Sequence, residues 1–255
     1  MRSRAALCLL LLAAPLLAGC ASGDGAGGDG QDRTLTVLAA ASLTETFTTL
    51  AEDFEADHPG VQVRLSFDSS ATLAEQVRQG APADVLATAD RSTMRPVVDA
   101  GGTAGAPRLF ATNHLELVVP PDNPAGITRF SDLTRPGVKY VVCVASAPCG
   151  KLARTVLDDT GIRAQPVSEE VDVKAVLSKV ELGEADAGLV YASDAVAGGD
   201  KVRAVDIPTS HENLNSYPIA TLADADQPAL ARAWVALVLS SRGRHVLTHA
   251  GFGTP

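Results

Sequence analysis

From Thr34 onward, short apolar runs of β-forming residues alternate with stretches of helical character, and this alternation constrains the fold most. Thr34-Leu35-Thr36-Val37-Leu38 and Val61-Gln62-Val63-Arg64-Leu65 are the first two runs, each followed by a helix. Ala83-Asp84-Val85-Leu86-Ala87-Thr88-Ala89-Asp90 reads as a short strand ending in an acid, with a helix over 91–100 and then Gly101-Gly102. Further strands are expected at 114–120, 138–144, 187–191, 202–208 and 216–222, and further helices at 151–159, 173–182, 228–241 and 242–250. The β-branched content of Val138-Lys139-Tyr140-Val141-Val142-Cys143-Val144 suits a buried strand. Such a pattern predicts an α/β fold with parallel or mixed sheets covered on both faces. Roughly 220 folded residues fit one domain or two lobes, and no linker composition divides them.

The first residues bear on compartment. Arg2 and Arg4 precede an apolar run over 5–17, as in an export signal, and the run is too short to span a bilayer. Leu17-Ala18-Gly19-Cys20 resembles a bacterial lipobox, in which the cysteine is lipidated and becomes the first mature residue. The alternative is an ordinary signal with a chance cysteine. Residues 21–32, rich in Gly and Asp, read as a flexible tether. No later run is long enough to cross a membrane.

Without Arg2 and Arg4 the balance is 19 basic against 30 acidic residues, so nucleic acid is not an expected partner. Nor would an anion be steered in by this net charge; local dipoles would have to hold it. Cys143 and Cys149 remain after the signal and lipid cysteines, six apart in an oxidising compartment. They read as a disulfide, with two buried free thiols as the alternative. A zinc site lacks a neighbouring histidine. His245 and His249 have i,i+4 spacing but read as exposed residues near the C-terminus.

Four helix starts carry the chemical interest. Ser42 with Glu45, and Thr72 with Glu75, match the S/T-x-x-E capping box. Ser42 and Ser70 are therefore either plain caps or hydroxyl donors beside the N–H groups of two helix N-termini, which together can hold an anion. Ala145-Ser146-Ala147-Pro148-Cys149-Gly150-Lys151 leads a strand into a helix. Its tail looks like a P-loop but lacks the first glycine, and Leu152 stands where Ser or Thr belongs. Glu169-Glu170-Val171-Asp172-Val173-Lys174 starts the next helix, with Asp172 as N-cap.

Several motifs together resemble the molybdate-binding component of bacterial ABC importers. They are Ala39-Ala40-Ala41-Ser42-Leu43-Thr44, Ser69-Ser70 with Thr72-Leu73-Ala74, and Gly80-Ala81-Pro82-Ala83-Asp84-Val85 with Ala89-Asp90. Gly188-Leu189-Val190-Tyr191-Ala192-Ser193-Asp194-Ala195 and the Tyr217-Pro218 strand complete the set, and the similarity covers about 34–253. The resemblance implies a type II periplasmic binding protein, two α/β lobes with mixed sheets joined by a two-strand hinge. It divides the mature domain into lobe 1 at 33–113 and 206–255 and lobe 2 at 114–205, after the signal peptide at 1–19 and the tether at 20–32 read from the N-terminal residues.

The same resemblance implies an extracytoplasmic receptor that binds molybdate or tungstate and delivers it to the permease subunits of an ABC transporter, with the lipobox adding a lipid anchor on Cys20. It implies a monomer with no cofactor and no direct metal ligand, the oxyanion being held by neutral donors. These are the hydroxyl and N–H of Ser42 and of Ser70, the N–H groups of Cys149 and Val173, and the hydroxyl of Tyr191. Tyr191 could instead simply pack a sheet edge. Two positions depart from the family pattern. Cys149 replaces a small apolar residue, which leaves its N–H role intact. Asp68 is acidic where small neutral residues are usual, and is expected to face solvent.

Molybdate, tungstate and sulfate are fully deprotonated near neutral pH, whereas hydrogen phosphate carries a proton that needs an acceptor. A donor-only pocket would leave that proton unpaired, a penalty of about 1–3 kcal/mol. Sulfate must be rejected by size. The rival readings are the same fold binding sulfate or phosphate, and an exported hydrolase using Ser42 or Ser70. For the hydrolase, no G-x-S-x-G occurs and no His or Lys has a recognisable relation to either serine.

Overall fold

The computed structural model of the protein describes residues 33–255; the expected signal peptide and tether, with Cys20, lie outside the described residues. In chain order, β1 (Arg33–Ala40) runs through a single 3-10 turn at Ala41–Leu43 into α1 (Thr44–Asp57). β2 (Val61–Asp68) leads into α2 (Ser70–Arg78), and β3 (Val85–Ala87) into α3 (Arg91–Asp99). β4 (Arg108–Asn113) and β5 (Leu115–Val119) are separated only by His114. Then come β6 (Tyr140–Cys143), α4 (Pro148–Asp159), β7 (Ser168–Glu170), α5 (Val173–Glu181), β8 (Ala187–Tyr191), α6 (Ala192–Gly198) and β9 (Arg203–Val205). β10 (Asn215–Thr221), α7 (Pro228–Leu239) and α8 (Ser241–His249) finish the chain. No helix of the described residues is long and apolar enough to cross a membrane.

These strands form two five-stranded mixed sheets, ordered β2-β1-β3-β10-β4 and β7-β6-β8-β5-β9. Each sheet with its covering helices is one lobe of the expected two-lobe α/β fold. The chain crosses from the first sheet to the second at His114 and returns between β9 and β10. In the first sheet β1 lies parallel to β2 and β3, while β10 is antiparallel to β3 and β4. In the second, β6 is parallel to β7 and β8, and β5 is antiparallel to β8 and β9.

Packing follows the apolar patterns. The central strand β8 is buried throughout, as a strand covered on both faces must be. Phe47, Leu50, Ala51 and Phe54 share one face of α1, and Phe47 and Phe54 meet Trp234 of α7 edge to face at 5.5 and 5.6 Å. Asp84 is buried because it staples three elements. Its carboxylate accepts the N–H of Thr36 on β1 and of Gln227 at the start of α7, both at 2.7 Å.

Three local expectations are corrected. α1 begins at Thr44 with Leu43 as N-cap, and α2 begins at Ser70 with Ser69 as N-cap; neither N-cap makes a side-chain hydrogen bond. Ser42 and Thr72 are therefore not caps. β4 was not expected, because its polar ends and the single residue before β5 hide the sheet change. Glu169 and Glu170 lie in β7, since pairing with Val142 and Cys143 outweighs their weak β preference.

Candidate functional site

Five elements aim their ends at one cavity between the lobes. Ala41 and Ser42 follow β1, Ser69 and Ser70 follow β2, and Cys149, Val173 and Tyr191 stand at the starts of α4 and α5 and the end of β8. Because β1 and β2 are parallel neighbours, as are β7, β6 and β8, their C-terminal ends fall together on each side. The structure thus brings together all five residues singled out in the sequence, Ser42, Ser70, Cys149, Val173 and Tyr191, each of them buried. The cavity volume of ≈ 20 Å³ suits a compact ion better than a sugar, peptide or nucleotide.

The backbone supplies donors. Helical bonding begins at Leu73 in α2, at Lys151 in α4 and at Val176 in α5. The N–H groups of Ser70, Cys149 and Val173 precede those residues in the first turn and have no intrahelical acceptor. The 3-10 turn begins its own bonding after Ser42, with Thr44 N–H to Ala41 O. Asp172 caps α5 as expected, accepting the Ala175 N–H at 2.9 Å and leaving the Val173 N–H unspent.

The hydroxyls are prepared by a layer behind them. Ser70 Oγ accepts the Ala89 N–H at 2.9 Å. The Tyr191 hydroxyl accepts the Asn215 side-chain N–H at 2.7 Å, while the same amide faces the Pro148 carbonyl. Ser42 Oγ pairs with the Tyr217 hydroxyl at 3.0 Å. Burial pushes the phenols of Tyr191 and Tyr217 well above their ordinary range, so both stay protonated. The protons of Ser70 and Tyr191 are consequently left to donate into the cavity. No local sequence signal marks Asn215 for this role, and Tyr217 carries only a strand motif. Ser42 and Tyr217 are 175 positions apart, beyond any local pattern.

Asp68 departs from expectation. It lines the cavity half-buried instead of facing solvent, and its Oδ1 accepts the Ser69 N–H at 2.6 Å. Among the described residues, no group of three or more His, Cys, Asp or Glu side chains could hold a metal ion directly.

Cys143 and Cys149 form a disulfide between the end of β6 and the first turn of α4. The bridge ties the Cys149 N–H to the end of β6 before any ligand arrives, which is preorganisation. A loop this short stabilises by about 2 kcal/mol in the chain-entropy model. Mass spectrometry of the oxidised protein is expected to find neither thiol alkylatable in the folded state. Two alkylated cysteines at these positions would refute the bridge.

Residues 35–253 match the family model for bacterial extracellular solute-binding proteins. The chain is 49% identical over 223 residues to the molybdate-binding protein ModA of Mycobacterium tuberculosis, covering 88% of this chain and 85% of that one. It is 32% identical over 229 residues to ModA of Escherichia coli, covering 86% and 88%. The periplasmic molybdate-binding protein of Azotobacter vinelandii superposes with a TM-score of 0.78 over 87% of this chain and 99% of that one; at 19% identity this shows the fold. The chain belongs to the bacterial extracellular solute-binding proteins, which bind solutes and are not enzymes.

Proposed function

We propose that the protein is an extracytoplasmic receptor that closes on molybdate, or tungstate, in the cavity between its lobes and delivers it to an ABC permease. In this reading Cys20 carries the lipid anchor, 33–113 with 206–255 moves against 114–205 about the two chain crossings, and no cofactor takes part. The observation that carries it is the set of unspent N–H groups at Ser42, Ser70, Cys149 and Val173 beside the Ser70 and Tyr191 hydroxyls, whose oxygens already accept from Ala89 and Asn215. Such a pocket favours a fully deprotonated tetrahedral anion. The 49% identity to a molybdate-binding protein supports molybdate among such anions.

A second reading is a receptor for hydrogen phosphate, favoured by Asp68, whose carboxylate at the cavity offers an acceptor for the phosphate proton. A thermal-shift panel of molybdate, tungstate, sulfate and phosphate separates the two. Ligand at about 100 times its dissociation constant adds about 2.7 kcal/mol. For a domain of this size that raises the midpoint by about 5–10 °C. Molybdate and tungstate are expected to give this shift, and phosphate none. A phosphate shift as large as that of molybdate, abolished by Asp68→Ala alone, would replace the first reading with the second.

A further inference from the structure

Two lysines of the second lobe reach across the cavity rim to acids of the first. Lys174 directly follows Val173, and its Nζ donates to both oxygens of Glu45, at 2.7 and 2.8 Å. Glu45 lies in the first turn of α1, three residues after Ser42. Lys151 lies two residues after Cys149 and donates to Asp90 Oδ2 at 3.2 Å and to Ser92 Oγ at 2.9 Å. Ala89, just before Asp90, lines the cavity. Each lysine therefore sits within two residues of a backbone donor, and each acid stands beside a serine or alanine of the opposite wall. The cavity walls cannot separate without breaking both pairs.

Lys174 is also held from behind. Asp194 of α6 is fully buried, and Lys174 Nζ lies 3.2 Å from its Oδ1 without a well-angled hydrogen bond. Burial pushes the Asp194 carboxyl up to about 6, against the pull of Lys174 beside it. A buried carboxylate with so little hydrogen bonding depends on its one cation, which pins the ammonium in place. Lys174 is thus positioned by its own lobe and needs no ordering when Glu45 arrives.

We propose that Lys174–Glu45 and Lys151–Asp90 are a pair of latches that hold the cleft closed over the bound oxyanion and set how slowly it leaves. The proposal rests on the oxyanion-receptor reading above. The latches act on closure and do not touch the ligand, so they lower the dissociation rate and leave the donor set unchanged.

The test is the release of radiolabelled molybdate from the whole exported protein at pH 8, chased with excess unlabelled molybdate. Glu45→Gln leaves the Lys174–Asp194 contact intact, and Lys151→Met leaves Asp90 free to cap α3. Each is expected to speed release about two- to fivefold, and the double variant by about the product. Asp57→Asn is the control, since it removes an equally short pair with Arg242 inside the first lobe and is expected to leave release unchanged. A ligand-free melting midpoint for Glu45→Gln matching that control separates latching from loss of stability. Unchanged release in both Glu45→Gln and Lys151→Met would overturn the latches. Failure of the wild type to retain molybdate would instead overturn the receptor reading, and the chase with labelled sulfate or phosphate would then judge the latches.

Discussion

Replacing Ser70 by alanine is expected to weaken molybdate binding by about 10- to 100-fold and to lower the melting midpoint as well. The hydroxyl gives one hydrogen bond to a charged acceptor, worth about 1.5–3 kcal/mol. It also accepts the Ala89 N–H, and Ala89 is buried, so the substitution leaves a backbone donor unpaired at a further cost of about 1–3 kcal/mol. Ser42→Ala is expected to lose a similar factor in affinity with a smaller effect on stability. The hydroxyl of its partner Tyr217 also lies within reach of the Asn113 and Tyr191 side chains. The unspent N–H groups remain in both variants, so binding is reduced and not abolished. Titration calorimetry checks the affinities and a melting curve the stabilities. Unchanged affinity in both variants would remove the two serines from the site.

Gly150→Ala is expected to destabilise the protein strongly for the addition of one methyl group. Gly150 lies in the first turn of α4, which presses directly on the end of β6. An added Cβ would collide with the Val144 carbonyl oxygen and sit 2.5 Å from that of Cys143. Both obstacles are backbone, and the Cys143–Cys149 bridge beside them limits how far the helix can retreat. The cost is about 3 kcal/mol or more, above the usual range for overpacking because no side chain can swing aside. The midpoint is expected to fall by about 6–12 °C. Any folded fraction should bind weakly, because the displaced turn carries the Cys149 N–H. A midpoint within 2 °C of wild type, about the effect of 1 kcal/mol or less, would show that the helix can lift off the strand.

The regular elements were legible where one rule dominated. β8 reads from Ala187 to Tyr191 as a buried run, and Asp172 reads as a cap and is one. Where two rules compete, sequence patterns mislead. Ser42-x-x-Glu45 satisfies the capping-box spacing, yet Ser42 pairs with Tyr217 and Glu45 with Lys174. The Gly150-Lys151 pair looked like a broken phosphate loop. Its glycine answers to the close approach of α4 to β6, and its lysine to Asp90 on the other lobe. Among the five proposed ligand residues, Ser42 and Ser70 stand out by themselves at helix starts, whereas Cys149, Val173 and Tyr191 enter the set through the family resemblance. The groups that orient them were not, since Asn215 meets Tyr191 only through the return crossing of the chain.

That return crossing also sets an order of assembly. β10 lies in the interior of the first sheet, between β3 and β4, and its Ile219 pairs with Ala87 far back in the chain. The second sheet is built from the unbroken stretch between β5 and β9. A chain emerging from its N-terminus can therefore complete the second lobe while the first still lacks a middle strand. Closing that seam joins segments separated by the whole of the other lobe, a high-contact-order step with a large loop-closure entropy. The first lobe therefore lacks its middle strand until nearly the last residues of the chain are available, and it is the half of the molecule whose closure spans the longer stretch of sequence.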